Sequence, residues 1–138
     1  MATFELDPRL AVNHFIQDWP LCSLYLEDDA RFPWLVLVPR RPGLREVFHL
    51  HADDQAQFNK EVTVAAQRLA ESLNPAKMNV AMLGNMVPQL HAHVIARFAT
   101  DPAWPGPVWG IGARRPYDDV EVQVRVQKMK EVLGQPPR

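Results

Sequence analysis

The chain has 138 residues, a formal net charge of -1, 47% hydrophobic and 22% charged residues; this is ordinary composition for one globular domain of residues 1–138. The near-neutral balance, without a charge run, argues against a nucleic-acid polymer as partner, although a small nucleotide needs only a few local donors. One cysteine, Cys22, excludes an internal disulfide and reads as a packing residue. The opening MATFELDPRL holds acidic residues and no long apolar run. It predicts neither a signal peptide nor a membrane span, and the expected compartment is the cytoplasm.

Asp7-Pro8 pairs an N-cap acceptor with proline at a first helical position, so a short helix is expected from there. Leu10, Val12, His14, Phe15 and Ile16 would form its partly amphipathic body, ending near Asp18-Trp19-Pro20. Residues 21–27 (LCSLYLE) read as a strand, and DDARFP as a turn. Residues 34–38 (WLVLV) are a continuous apolar run, hence a covered central strand. The short polar connection makes the two an antiparallel hairpin. Residues 46–51 (EVFHLH) suggest a brief strand or an extended lead-in.

The longest helix is expected over about 53–73, capped by Asp53 or Asp54. Phe58, Val62, Ala65, Ala66, Leu69 and Leu73 recur at steps of three and four, and Asn74-Pro75 stops it. Residues 78–83 (MNVAML) make a third strand, Gly84-Asn85 a tight turn, and 89–98 a fourth strand. A Trp- and Pro-rich excursion carries Trp104 and Trp109, which suit core, interface or pocket-capping positions. Residues 118–133 close with a helix. The order predicts an α+β domain: an antiparallel sheet with helices packed mainly on one face.

The fourth strand raises the functional question. Alternate side chains share a face. Gln89, His91, His93, Ile95 and Arg97 point one way. The opposite set, Leu90, Ala92, Val94, Ala96 and Phe98, is wholly apolar and belongs to the core. Three readings fit two imidazoles about 7 Å apart along a strand. They could be incidental on an exposed face; Arg97, two positions beyond His93 on that face, could join the site or be solvated. They could ligate a metal together with His49 and His51. Or one could attack phosphorus, making a phosphoramidate that divides one displacement into two. The Gly84-Asn85 turn, able to offer backbone N–H groups to an anion, favours the third.

The stretch VPQLHAHVIAR resembles the signature of the histidine triad family, in which three histidines alternate with apolar residues. Here it reads Gln89-Leu90-His91-Ala92-His93-Val94-Ile95. WLVLVPRR, the long helix and MNVAML fall where that family places corresponding elements, so the resemblance covers about residues 20–98, with 99–138 as a further segment. It implies an α+β fold forming a homodimer, and hydrolysis or transfer at the α-phosphate of nucleoside phosphoramidates, dinucleoside polyphosphates or nucleotide sugars. His91 maps to the nucleophile and His93 to the phosphate contact. Asp28, with Asp29 next, maps to the ribose contact, and Gly84 and Asn85 to the phosphates. Gln89 replaces the first histidine of the catalytic set. It can donate and accept hydrogen bonds but cannot titrate near neutral pH, which leaves a binding-only module as the alternative. Because the nucleophile is a side chain, neither metal nor cofactor is required.

Overall fold

The computed structural model describes residues 2–138. Among the described residues there are five strands: β1 (His14–Asp18), β2 (Cys22–Leu26), β3 (Trp34–Pro39), β4 (Lys77–Ala81) and β5 (Ala92–Arg97). They form one sheet in the order β1-β2-β3-β5-β4, with every neighbouring pair antiparallel. Two helices accompany it, α1 (Ala52–Leu73) and α2 (Asp119–Leu133). Neither is long and apolar enough to cross a membrane.

The expected α+β architecture is the one observed. Side chains of both helices join a single core on one face of the sheet. Phe58, Ala65 and Leu69 of α1 and Met129 and Leu133 of α2 pack there against Leu24, Leu35, Leu37, Val94 and Ala96. Truncating one of these buried leucines to alanine would cost about 2–5 kcal/mol. A second core lies on the opposite face. Tyr25, Trp34, Val36, Val38 and Ile95 are covered there by loop residues, including Leu10 and Val108, rather than by a helix.

Three local expectations are corrected. The helix predicted from Asp7-Pro8 is one turn only, closed by Leu10 and Ala11 N–H groups on the Asp7 carbonyl. The chain then extends into β1, because His14, Phe15, Gln17 and Asp18 pair with β2; the register shifts between Phe15 and Gln17, and Ile16 at that irregularity is buried in the helix-side core. Residues 46–51 are neither strand nor extended lead-in. They contain a 3-10 turn, Val47–His49, in which His49 Nδ1 accepts the Arg45 and Glu46 N–H groups. The N-cap of α1 is His51, not Asp53 or Asp54. Both aspartates lie instead in the first helical turn, where their charge complements the helix dipole. Asn74 ends α1 as expected, in the left-handed conformation at φ 50°.

One buried carboxylate ties the layers together. Glu61 of α1 is fully enclosed. It accepts the backbone N–H of Leu21 at 3.0 Å and of Cys22 at 2.8 Å, and the Gln57 side-chain amide at 2.6 Å. Burial, followed by the neighbouring Glu61 charge, pushes the Cys22 thiol far above its ordinary range. Cys22 is therefore an unreactive packing residue.

Candidate active site

The helix-free face of the sheet carries a cleft of about 600 Å³. Its floor is β5 and the residues just before it; its rims are the Leu83–Val87 loop, the segment around Arg9 to Asn13, and Trp109 with Arg114. His91 and His93 both line it, each only 6% exposed. Their ring centroids are 4.8 Å apart with planes at 72°.

The two rings are held in opposite tautomers. His91 Nδ1 lies 2.6 Å from the Gln89 main-chain carbonyl. A carbonyl only accepts, so Nδ1 carries the proton and Nε2 presents its lone pair to the cleft. His93 Nδ1 lies 2.9 Å from Trp34 Nε1. An indole N–H only donates, so Nδ1 is bare and His93 carries its proton on Nε2. Burial, with the charges of His91 and Arg114, lowers the His93 pKa from 6.5 to about 3, which keeps this ring neutral. Trp109 packs edge-on to His93 at 5.1 Å and to Trp34 at 5.7 Å.

The lowered His93 pKa has a stability consequence. Between the folded value of about 3 and the unfolded value of 6.5, the unfolded chain binds the extra proton. Above about pH 6.5 the site costs nothing; below it, stability falls as pH falls. The loss reaches about 2 kcal/mol near pH 5. His93→Gln should flatten the measured unfolding free energy between pH 6.5 and 5, and an unchanged slope would contradict this account.

Trp34 was legible only as a structural residue at a strand start. Its pairing opposite Ile95 brings it diagonally beside His93 on the same face. Trp34→Phe should leave the fold intact, free His93 to exchange tautomers, and lower turnover about tenfold through the lost hydrogen bond. Ring 15N chemical shifts of His93 would report the exchange directly.

Asp28 lines the cleft. Its Oδ1 takes His14 Nε2 at 2.8 Å and the Tyr117 N–H at 3.1 Å, while Oδ2 has no protein partner among the described residues. His14 belongs to β1 rather than to a helix, which is why it reaches this carboxylate. Asp29 points elsewhere. It is fully buried and its two oxygens take the Arg31 guanidinium at 2.9 and 2.8 Å. Gly84, at φ 77°, and Asn85 form the loop at the cleft rim.

Gln89 lies at a bend before β5, so strand alternation does not govern it. It is not among the residues lining the cleft. Its amide turns to the N-terminal segment, accepting from the Asp7 N–H and donating to the Glu5 carbonyl, both at 2.8 Å. Arg97 is not solvated. It is buried, with Nε and Nη2 on Asp101 at 2.8 and 3.1 Å, and with further bonds to Asn79 and the Gly106 carbonyl. The four-histidine metal grouping is not assembled. His49 is engaged in its own turn, and among the described residues no three His, Cys, Asp or Glu side chains are placed to hold a metal ion.

Sequence reasoning missed Arg9, Asn13, Glu27 and Arg114. Asn13 donates to Glu27 at 2.7 Å and accepts the Asp28 N–H at 3.1 Å. Arg114 pairs with the other Glu27 oxygen at 2.8 Å and lies over the Trp34 ring. Glu27-Asp28 beside a strand end was the one local signal for this cluster.

The family model described as HIT domain matches residues 11–100, a span running from the start of β1 through the histidine pair. This chain belongs to the HIT domain family. Solved structures agree over nearly the whole chain. A histidine triad protein from Bradyrhizobium japonicum is 40% identical, with a TM-score of 0.91 and coverage of 96% of this chain and 100% of its own. A histidine triad (HIT) protein from Sinorhizobium meliloti 1021 is 43% identical, with a TM-score of 0.89, covering 94% and 96%. A histidine triad protein from Marinobacter aquaeolei VT8 is 41% identical, with a TM-score of 0.88, covering 96% and 100%. Among curated proteins none matches this chain. The HIT likeness therefore extends past residue 100 through the excursion and α2.

Proposed function

We propose that this HIT domain protein is a nucleotide hydrolase or nucleotidyltransferase acting at the α-phosphate of a nucleoside phosphoramidate or dinucleoside polyphosphate. One observation carries the reading: His91 is held with a free Nε2 lone pair in a cleft, beside a neutral His93 whose proton is on Nε2. That pairing provides a nucleophile and a hydrogen-bond donor within reach of one phosphate.

In the proposed reaction His91 Nε2 attacks phosphorus in line. The Nε2–P bond forms as the bond from phosphorus to the leaving group breaks, and the leaving group departs with a proton from solvent. The resulting imidazolium is stabilised through Nδ1–H by the Gln89 carbonyl, which already accepts that proton's hydrogen bond. Water then attacks phosphorus, the Nε2–P bond breaks and the water's proton returns to solvent, releasing a nucleoside monophosphate and neutral His91. The His93 Nε2–H donates to a non-bridging oxygen, and the amides around Gly84-Asn85 take part in holding the phosphate. Asp28, with Oδ2 unused, accepts from the ribose hydroxyls. Asp29, committed to Arg31, supports the loop behind it.

The test is release of AMP from adenosine 5′-phosphoramidate by protein prepared without added metal, with mass spectrometry of protein quenched and kept at alkaline pH, where the N–P bond survives, for a nucleotidyl adduct on His91. Nucleotide binding without AMP release would leave a binding module; no binding would overturn the reading.

We also infer that two copies pair through the β4 edge. Val80, Met82 and Leu83 are exposed there, beside an apolar groove formed with Val47, Phe58, Val62 and Ala66. Met82→Glu is expected to convert a dimer to a monomer in sedimentation equilibrium; a wild-type monomer would refute the inference.

A further inference from the structure

We propose that Gln89 is a positioning residue that latches residues 5–10 against the cleft as a fixed wall, and that Arg9, at the end of the latched segment, contacts the phosphate-bearing ligand. This rests on the nucleotide reading above.

The chemistry of the latch is specific to a primary amide. Gln89 gives a donor to the Glu5 carbonyl and an acceptor to the Asp7 N–H, both at 2.8 Å. That is the exchange one residue makes with a neighbouring strand. The two atoms of a primary amide lie side by side and face the same way. The ring nitrogens of an imidazole diverge, and a carboxylate offers only acceptors. Glutamine at the first motif position therefore does something histidine could not do there.

The segment so held is packed as well as hydrogen-bonded. Leu10 is buried in the second core, with Phe4 and Leu6 packed against it. Asp7 grips Arg9 through its N–H and guanidinium at 2.8 to 3.1 Å. Hydrogen bonds from the Arg9 side chain and then its backbone hold the Asp7 carboxyl below the usual range, so the grip persists at neutral pH. Arg9 then reaches across to the Met86 carbonyl at 2.7 Å, in the loop that follows Gly84-Asn85. Gln89, the N-terminal segment, Arg9 and the 84–86 loop thus close a ring around one end of the cleft. Arg9 spends three of its five N–H donors on these bonds. The others remain at the rim, where Arg9 lines the cleft with His91. The Gln89 main-chain carbonyl meanwhile orients His91, so one residue joins wall and nucleophile.

The experiment combines trypsin cleavage after Arg9 in the ligand-free protein, calorimetric AMP binding, and kcat and KM on adenosine 5′-phosphoramidate. Gln89→Ala is expected to speed cleavage after Arg9 about tenfold or more, and to raise KM about fivefold or more with a smaller change in kcat. Gln89→His is expected to behave like Gln89→Ala. Arg9→Ala, an exposed change outside both cores, should raise KM and weaken AMP binding similarly, which keeps the test decisive should the Gln89 variants fail to fold. Wild-type protection from trypsin in Gln89→Ala or Gln89→His overturns the latch, as does a fall in kcat at unchanged KM in Gln89→Ala. Unchanged KM and AMP affinity in Arg9→Ala overturn the ligand contact. Wild-type protein that binds no AMP overturns the nucleotide reading and the contact with it, while cleavage after Arg9 still decides the latch.

Discussion

Replacement of His91 by alanine is expected to abolish turnover, by on the order of 10⁴-fold or more, because no other group can form the covalent intermediate. Nucleotide binding should change little. The phosphate and ribose contacts proposed for His93, the Gly84-Asn85 amides and Asp28 belong to other residues, and the imidazole removed contributes one wall among several. The variant should also fold, since His91 precedes β5 and the only protein hydrogen bond of its ring among the described residues is to the Gln89 carbonyl two residues away. Single-turnover kinetics with calorimetric AMP titration checks both halves. Turnover at the wild-type rate would eliminate nucleophilic catalysis by this ring. Loss of binding together with turnover would mean that His91 holds the ligand rather than attacks it.

Replacement of Arg97 by leucine is expected to be the most damaging change outside the reaction itself. The Arg97–Asp101 pair is almost wholly buried. Removing the cation leaves a carboxylate without its partner, at a cost of about 3–5 kcal/mol. The melting temperature should fall by roughly 10–20 °C. Asp101 also accepts the N–H groups of Phe98, Ala103 and Trp104, and Arg97 also holds the Gly106 carbonyl. The pair therefore shapes the excursion that lays Trp109 on His93, so activity should drop even at temperatures where the variant stays folded. Burial alone would raise the Asp101 pKa, but the hydrogen bonds from Arg97 and the backbone outweigh it and hold the carboxyl below 3.8. A depressed carboxylate stabilises above its unfolded pKa. This contribution is complete at neutral pH and is lost only as pH falls below about 3.8. Thermal melts at pH 7 and pH 3 should therefore differ less for Arg97→Leu than for the wild type.

What could be read in advance divides along the range of the interactions. β2, β3 and α1 were legible because their signals are local: an unbroken apolar run, a short polar turn, and steps of three and four ending at Asn74. The Asp7-Pro8 start was a true local signal as well, but it governs only one turn. Pairing with β2, decided by residues 23 to 26, then takes over. At the site, the period-two argument holds from Leu90 to Phe98 on the core side. It fails at Gln89, which bends away before the strand begins. Nothing near Arg97 announces its burial, because Asn79 and Gly106 lie on other elements. Arg9 and Arg114 are tied to the cleft by contacts some eighty residues distant, with Met86 and Glu27. Asp28 and Asp29 are equivalent by position. What separates them is Arg31, two residues on, which claims Asp29 and leaves Asp28 to the cleft.

The enclosed carboxylate of Glu61 has a mechanical consequence. By receiving the amide protons of Leu21 and Cys22, it acts as a peg between α1 and the entry to β2. The helix cannot slide or rotate by even one residue without stripping two backbone donors and stranding a charge in the interior. Layers joined by apolar contacts alone could shear; these are indexed to a single position. The sheet that carries the histidine pair is thereby registered against the helix layer from its far side.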